Sequence, residues 1–130
     1  MNDWELSPKG RKLGFGISIG IYDAHTSSQC RIHLGIDIIG KLKWYVGDFI
    51  NIEVGSGSNL GKIRLSIGGE EYGHYLGQDA TVKTYFRLTW GNYPREWTRE
   101  PVGMTKVNKI VGNDYIILEV PSLICQVNPE

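Results

Sequence analysis

The chain has 130 residues and equal numbers of basic and acidic side chains, which fits a single domain with no global field to attract DNA or membranes. No apolar run approaches the roughly 20 residues of a membrane-spanning helix, so we expect no membrane partner. The first residues lack the apolar stretch of a signal peptide. We therefore expect a cytoplasmic protein in which Cys30 and Cys125 remain free thiols.

Alternating apolar residues predict a chain built mostly of strands. A polar tail is expected over 1–12, and 13–130 is expected to form one β domain. Strands are expected at 13–22, 29–34, 49–54, 62–67, 72–76, 80–90, 105–111 and 115–120, a short helix within 35–44, and an irregular loop over 91–103. A Gly-Asn-Asp loop separates the last two strands as a hairpin. The predicted fold is all-β, a small barrel or sandwich of about seven or eight short strands with one short helix.

Motifs of the common enzyme classes are absent from the sequence. It has no G-x-S-x-G, H-E-x-x-H or P-loop pattern. His25, His33 and His74 are scattered, with no cysteine or carboxylate at the spacing of metal ligands. The glycine-rich stretches 14–16 and 55–57 are typical of β structure, since neither leads into a helix that could hold a phosphate. We therefore predict a binding protein and no enzyme, with no metal and no cofactor.

The segment 29–65 combines a strand, a short helix, a Gly-Asp turn and two further strands, in that order. The residues that carry the pattern are Arg31, Ile32, Leu34, Leu42, Gly47, Asp48, Ile50, Ile52, Val54, Lys62, Ile63 and Leu65. The segment resembles the AbrB/MazE-like swapped-hairpin family of DNA-binding regulators and antitoxins, with Gly35 where that family usually has a proline. The resemblance implies an interleaved homodimer, with Arg31 as a phosphate or base contact and Lys41 and Lys43 as supporting charges. The alternative is the same local fold without DNA binding.

The start of the chain carries a second resemblance. Residues 4–7, Trp-Glu-Leu-Ser, and residues 10–19, Gly-Arg-Lys-Leu-Gly-Phe-Gly-Ile-Ser-Ile, look like the openings of small prophage-encoded proteins. This resemblance implies a phage or mobile-element context rather than an activity.

Basic charge is concentrated between residues 81 and 110, where cations alternate with aromatic side chains. Cations bind phosphates and flat rings stack on unpaired bases, so this composition is typical of a surface for single-stranded nucleic acid. The predicted contacts are Lys83, Arg87, Arg95 and Arg99 for phosphates, and Tyr85 and Trp97 for base stacking. Lys83, Tyr85 and Arg87 share one face of the strand 80–90, whereas Phe86 and Trp90 share the other face and are predicted to be core.

Two functions are compatible with these features. The first is a nucleic-acid-binding regulator, with DNA or RNA as partner, from a phage or mobile element. The second is a phage-type protein that binds and inhibits a host protein, such as a defence or regulatory factor, and uses the loop from Trp90 to Trp97 as its anchor, because Trp, Tyr and Arg dominate protein-binding hot spots. A plain solvated β face is a third interpretation of the segment 81–110.

Overall fold

The computed structural model describes residues 15–23, 27–78 and 85–125, and the predicted tail over 1–12 lies outside them. In chain order the elements are β1 (Ile17–Asp23), β2 (Ser28–Gly35), α1 (Ile36–Leu42), β3 (Phe49–Val54), a 3-10 turn (Gly57–Asn59), β4 (Lys62–Gly68), β5 (His74–Tyr75), β6 (Gly77–Gln78), β7 (Tyr85–Trp90), β8 (Val102–Lys106), β9 (Lys109–Val111), β10 (Tyr115–Glu119) and α2 (Ser122–Cys125). The all-β prediction is confirmed.

The strands form two antiparallel sheets that pack as a sandwich. The first sheet has the order β6-β7-β2-β1-β8, and the second has the order β5-β3-β4-β10-β9. Neither sheet closes on itself as a barrel. The described residues contain ten strands rather than seven or eight, because β6 is an additional strand of two residues and the predicted strand over 105–111 divides into β8 and β9.

The core lies between the two sheets and follows from the period-two pattern of the strands. Ile19, Ile32 and Leu88 from the first sheet are fully buried, as are Leu65 and Ile116 from the second. Both cysteines are buried and unbridged, and burial raises the pKa of Cys30 to about 12, so it remains a neutral thiol at physiological pH. A single core therefore holds the two sheets together.

Helix α1 connects the first sheet to the second. Its Ile38, Ile39 and Leu42 are buried at helical spacing, which is why this short segment is helical although strands surround it. The helix ends at Lys43, which adopts a left-handed conformation with φ of 57°. The predicted helix is thus confirmed, and so are the strands predicted at 29–34, 49–54 and 62–67.

The segment predicted as one strand over 105–111 is two strands in different sheets. β8 begins at Val102, inside the predicted loop, and pairs with β1, whereas β9 pairs with β10. The chain crosses between the sheets at 107–108, where the Val107 amide donates to Ile17 and the carbonyl of Asn108 accepts from Glu119. The hairpin between β9 and β10 is confirmed. In the described ranges, both α-helices fall far short of the length that a bilayer span requires.

Candidate nucleic-acid interface

Three cationic side chains occupy outward positions on the first sheet. They are Arg31 on β2, Arg87 on β7 and Lys106 on β8. Arg31 and Arg87 alternate with the core residues Ile32 and Leu88, and Lys106 lies opposite Ser18 of β1. The inter-strand register places His33 opposite Arg87 on this side. We call the surface formed by Tyr22, Arg31, His33, Arg87 and Lys106 the basic face.

Carboxylates are missing from the outward positions of this sheet in the part of the chain that the structure describes. Asp23, at the end of β1, follows the outward Tyr22 and so alternates to the other side. From β7 to β8 the three cations span three strand spacings, about 14 Å. The basic face therefore carries one sign of charge across most of its width.

Arg31 lies flat against Tyr22, with its guanidinium carbon 4.2 Å from the ring centroid. This cation–π contact fixes the orientation of the guanidinium plane. The Arg31 Nε is buried and has no acceptor among the described residues. A buried donor without an acceptor is costly, so this atom is a local cost to stability rather than a contact offered to a ligand.

Tyr85, predicted to stack on bases, lies on the expected side of β7 but is only 8% exposed. Its ring is covered in part by His33, with 5.4 Å between the ring centroids. The prediction of a free tyrosine ring at this position is therefore wrong. Arg87, two residues farther along β7, is only partly buried and keeps the outward position that the alternation predicts.

Lys106 and Tyr22 belong to the basic face although neither was among the predicted contacts. The ammonium group of Lys106 donates to the carbonyl of Phe15 at 2.8 Å, and the side chain remains exposed. Lys106 joins this surface because β8 pairs with β1, with Ser18 opposite Lys106. The alternation of β1 could have placed Tyr22 outward, but only the long-range pairing of β8 brings Lys106 onto the same face.

The loop 91–101 forms a packed aromatic cluster rather than an exposed anchor. Trp97 is 6% exposed, and its ring meets Trp90 edge to face with 5.4 Å between the centroids. The Tyr93 hydroxyl donates to the carbonyl of Thr98, and the Thr98 amide donates to Ile124. Trp97 is therefore neither a stacking platform nor a protein-binding anchor, and both predictions for it are wrong.

Arg99 stabilises this loop from outside. Its guanidinium stacks over the Tyr93 ring at 3.9 Å and donates to the carbonyls of Tyr93 and Pro94. Both hydrogen bonds are donated by the same terminal nitrogen of the Arg99 guanidinium. Arg99 therefore has a structural role in the loop in addition to its predicted contact with phosphate. Arg95 is exposed on the same loop, away from the strands of the basic face.

Two further predicted contacts, Lys41 and Lys43, do not lie on the basic face. Lys41 is exposed on the last turn of α1, and Lys43 is exposed at the residue that ends it. Lys83 lies outside the described residues. The segment 29–65 contains the expected order of elements, but β2 belongs to the first sheet whereas β3 and β4 belong to the second.

The outer side of the second sheet carries side chains of both charges, unlike the basic face. Glu53 and Arg64 lie opposite each other on β3 and β4 and form a two-point ion pair, with nitrogen–oxygen distances of 3.1 and 3.0 Å. The hydrogen bonds from Arg64 hold the pKa of Glu53 below its usual value. We call this surface the paired face; its outward residues are Phe49, Asn51, Glu53, Lys62, Arg64, Tyr75, Ile110, Tyr115, Ile117 and Glu119.

A shallow cleft of about 230 Å³ opens on the paired face beside the Gly/Ser loop and is lined in part by Glu53, Lys62, Arg64 and Ile117. Its volume is below the roughly 300–1,000 Å³ of ordinary ligand pockets, whereas a second, more open depression of about 480 Å³ is lined in part by Asn51, Glu53 and Tyr72. Within residues 15–23, 27–78 and 85–125, His, Cys, Asp and Glu side chains form no group of three that could bind a metal ion together. The chain matches no protein-family model, no curated protein and no solved structure.

Proposed function

We propose that this protein binds single-stranded nucleic acid through the basic face and acts in the cytoplasm as a small regulator of phage or mobile-element type. The phage context rests on the resemblance at the start of the chain. The observation that carries the binding proposal is the set of three cations, Arg31, Arg87 and Lys106, on one sheet surface whose described outward positions include no carboxylate.

Phosphate is the ligand that this arrangement suits. Arg31 is only partly buried, and Tyr22 orients its guanidinium plane. A guanidinium held in one plane presents its donors in the geometry that phosphate oxygens accept. Lys106 and Arg87 lie on either side of Arg31 in the sheet and supply point charges for neighbouring phosphates.

A single strand fits this surface better than a duplex groove does. The five strands of the first sheet span four strand spacings, about 19 Å, whereas the major groove of B-DNA is only about 12 Å wide. The sheet therefore cannot enter a groove, although a flexible strand can lie across it. Because Tyr85 is buried and one side of the Tyr22 ring is covered by Arg31, base stacking contributes little. We expect binding that tolerates many sequences.

Binding is tested by fluorescence anisotropy with labelled single-stranded and double-stranded oligonucleotides over a range of salt concentrations. Three neutralised phosphates give a slope of about −2 for the logarithm of the binding constant against the logarithm of the salt concentration. Micromolar binding at low salt is expected, with the single strand preferred. Absence of binding at low salt contradicts the proposal, and a duplex bound as well as the single strand contradicts the preference.

Single substitutions test whether nucleic acid binds at the basic face. Arg31→Ala, Arg87→Ala and Lys106→Ala should each weaken binding and reduce the salt slope to about −1.4, because each removes one phosphate contact. Arg95→Ala and Lys41→Ala are matched controls, since both side chains are exposed cations outside the basic face. Controls that weaken binding as much as the three variants would place the interface elsewhere.

A further inference from the structure

We propose that the open edge of β3 binds an extended, basic peptide segment of a partner protein, which adds to the second sheet as a further strand. The proposal does not depend on nucleic-acid binding. β5 pairs with β3 only at Phe49 and Ile50. Within the described ranges, residues 51–54 therefore have β4 on one side and no strand on the other. This edge of the sheet is paired only at the first two residues of β3.

The ladder between β3 and β4 determines which backbone groups face the open edge. The Gly55 amide donates to the carbonyl of Lys62 at 2.8 Å, so these two residues form a hydrogen-bonded pair. Such pairs alternate along antiparallel strands, so Glu53 also bonds to β4, whereas the amides and carbonyls of Ile52 and Val54 point away from it. No residue in the described part of the chain hydrogen-bonds to these four groups. They are the groups with which an added strand pairs.

A turn before β5 keeps the preceding residues out of the ladder. The Gly73 amide donates to the carbonyl of Gly69 at 2.8 Å and closes a turn over 69–73, which would otherwise continue β5 along β3. The depression of about 480 Å³ lies where this turn and β3 separate, and it is lined by Asn51, Ile52, Glu53, Gly69, Glu71 and Tyr72. The space beside the unpaired backbone groups is therefore large enough for a side chain of an added strand.

The depression suits a positively charged side chain. Glu71 is exposed and forms no ion pair with a described residue, and its neighbour Glu70 is exposed as well. Glu53 is paired with Arg64, so those two charges cancel and the turn leaves a net negative charge. Tyr72 is 79% exposed, and a cation can bind against the face of its ring. A lysine or arginine that the added strand directs to the outer side of the sheet therefore meets Glu71 and Tyr72.

The other sheet edges are less suited to this pairing. β6 and β9 have only two and three residues, and β8 carries Lys106 and an irregular register with β1. Short strands, bulges and lysines are the features by which proteins block pairing at exposed edges. β3 has a regular register with β4, and the residues whose backbone faces its open edge, Ile52 and Val54, are uncharged. The open part of β3 is therefore the edge at which strand addition is favoured.

Synthetic peptides labelled with fluorescein and titrated with the full chain test this proposal by anisotropy. The basic peptide Thr-Val-Lys-Val-Lys-Val-Thr, blocked at both ends, alternates lysines for the outer side with valines for the inner side. It should bind in the micromolar range, and the same peptide with glutamine in place of lysine should bind about fivefold more weakly.

Methylation of the peptide backbone tests the pairing itself. Residues opposite Ile52 and Val54 carry the amides that bond to β3, and their side chains point inward like those two residues. N-methylation of the valines should therefore abolish binding, whereas N-methylation of the lysines should preserve it, because those amides face away from β3.

Two protein variants locate the binding. Glu71→Lys should weaken binding of the basic peptide at least about fivefold, because it places a like charge in the depression. Glu96→Lys changes the net charge by the same amount at an exposed position of the loop 91–101 and should bind the peptide as the native chain does. Circular dichroism verifies that both variants fold. No binding of the basic peptide, equal binding of the two N-methylated peptides, or equal effects of the two variants would overturn the proposal.

Discussion

Two arginines of this protein stack on tyrosine rings in the same way but differ in the hydrogen bonds that they make. Arg31 and Arg99 both stack on a tyrosine ring, at 4.2 and 3.9 Å. Arg99 donates to two backbone carbonyls of its own loop, whereas the buried Nε of Arg31 has no acceptor in the described ranges. The environment of the donor atoms therefore distinguishes an arginine whose donors are used by its own loop from one that keeps an unused buried donor.

Arg99→Ala should lower the free energy of unfolding by roughly 1–2 kcal/mol, because it removes a cation–π contact and hydrogen bonds to two carbonyls. Arg99→Lys should recover little of that loss, since an ammonium group cannot reproduce the planar fork. The quantity is measured from urea denaturation midpoints. Arg95→Ala is the control and should change stability by less than about 0.5 kcal/mol. Loss of nucleic-acid binding by Arg99→Ala at unchanged stability would contradict the structural role.

Glycines within the elements show how closely the strands pack at one place and how open the helix is at another. A Cβ atom on Gly20 of β1 would lie 2.8 Å from the Met104 sulfur and 2.8 Å from the carbonyl oxygen of Val102, both on β8. A Cβ atom on Gly40 of α1 would meet nothing within 4 Å. The first glycine therefore permits a strand pairing, whereas the second only weakens a helix.

Gly20→Ala should destabilise the protein by roughly 1–3 kcal/mol, because the backbone of β8 must move to accept the methyl group. Gly40→Ala should stabilise it by about 0.5–1 kcal/mol, because alanine has the better helix propensity. Thermal unfolding of both variants beside the native chain measures the two effects. Equal responses of the two variants would show that the contact with β8 does not govern the effect at Gly20.

Local patterns predict most of these elements but not their assignment to sheets. The alternation in β2, β3 and β4 places the buried residues correctly because each strand has one face in the core. The same alternation extends over 105–111 and conceals the crossing at Val107, since both sheets bury residues at every second position. Trp97 was misassigned because its burial depends on Trp90 across the loop, a contact that local spacing does not contain.

The candidate site could be predicted only in part for the same reason. Alternation along β2 and β7 is enough to place Arg31 and Arg87 outward, but their neighbourhood depends on the pairing of His33 with Arg87. Lys106 reaches the basic face through a partner strand near the other end of the chain. Residue composition therefore indicates the kind of ligand, whereas the sheet register determines which cations act together.

At the scale of the whole molecule, the two outer faces of the sandwich differ in charge. The basic face carries cations alone among its charged residues, and the paired face carries equal numbers of both signs. The two faces lie on opposite sides of one core.

The pairing of β8 with β1 also has a consequence for how the chain acquires its structure. Ser18 lies opposite Lys106, so the first sheet is completed by a strand that follows most of the sequence. β10 then inserts between β4 and β9, so the second sheet also requires the end of the described chain. During synthesis both sheets remain incomplete until these late strands have left the ribosome. We expect folding of this domain to wait for these strands, and to be slow in the manner of proteins rich in long-range contacts, on the scale of milliseconds to seconds.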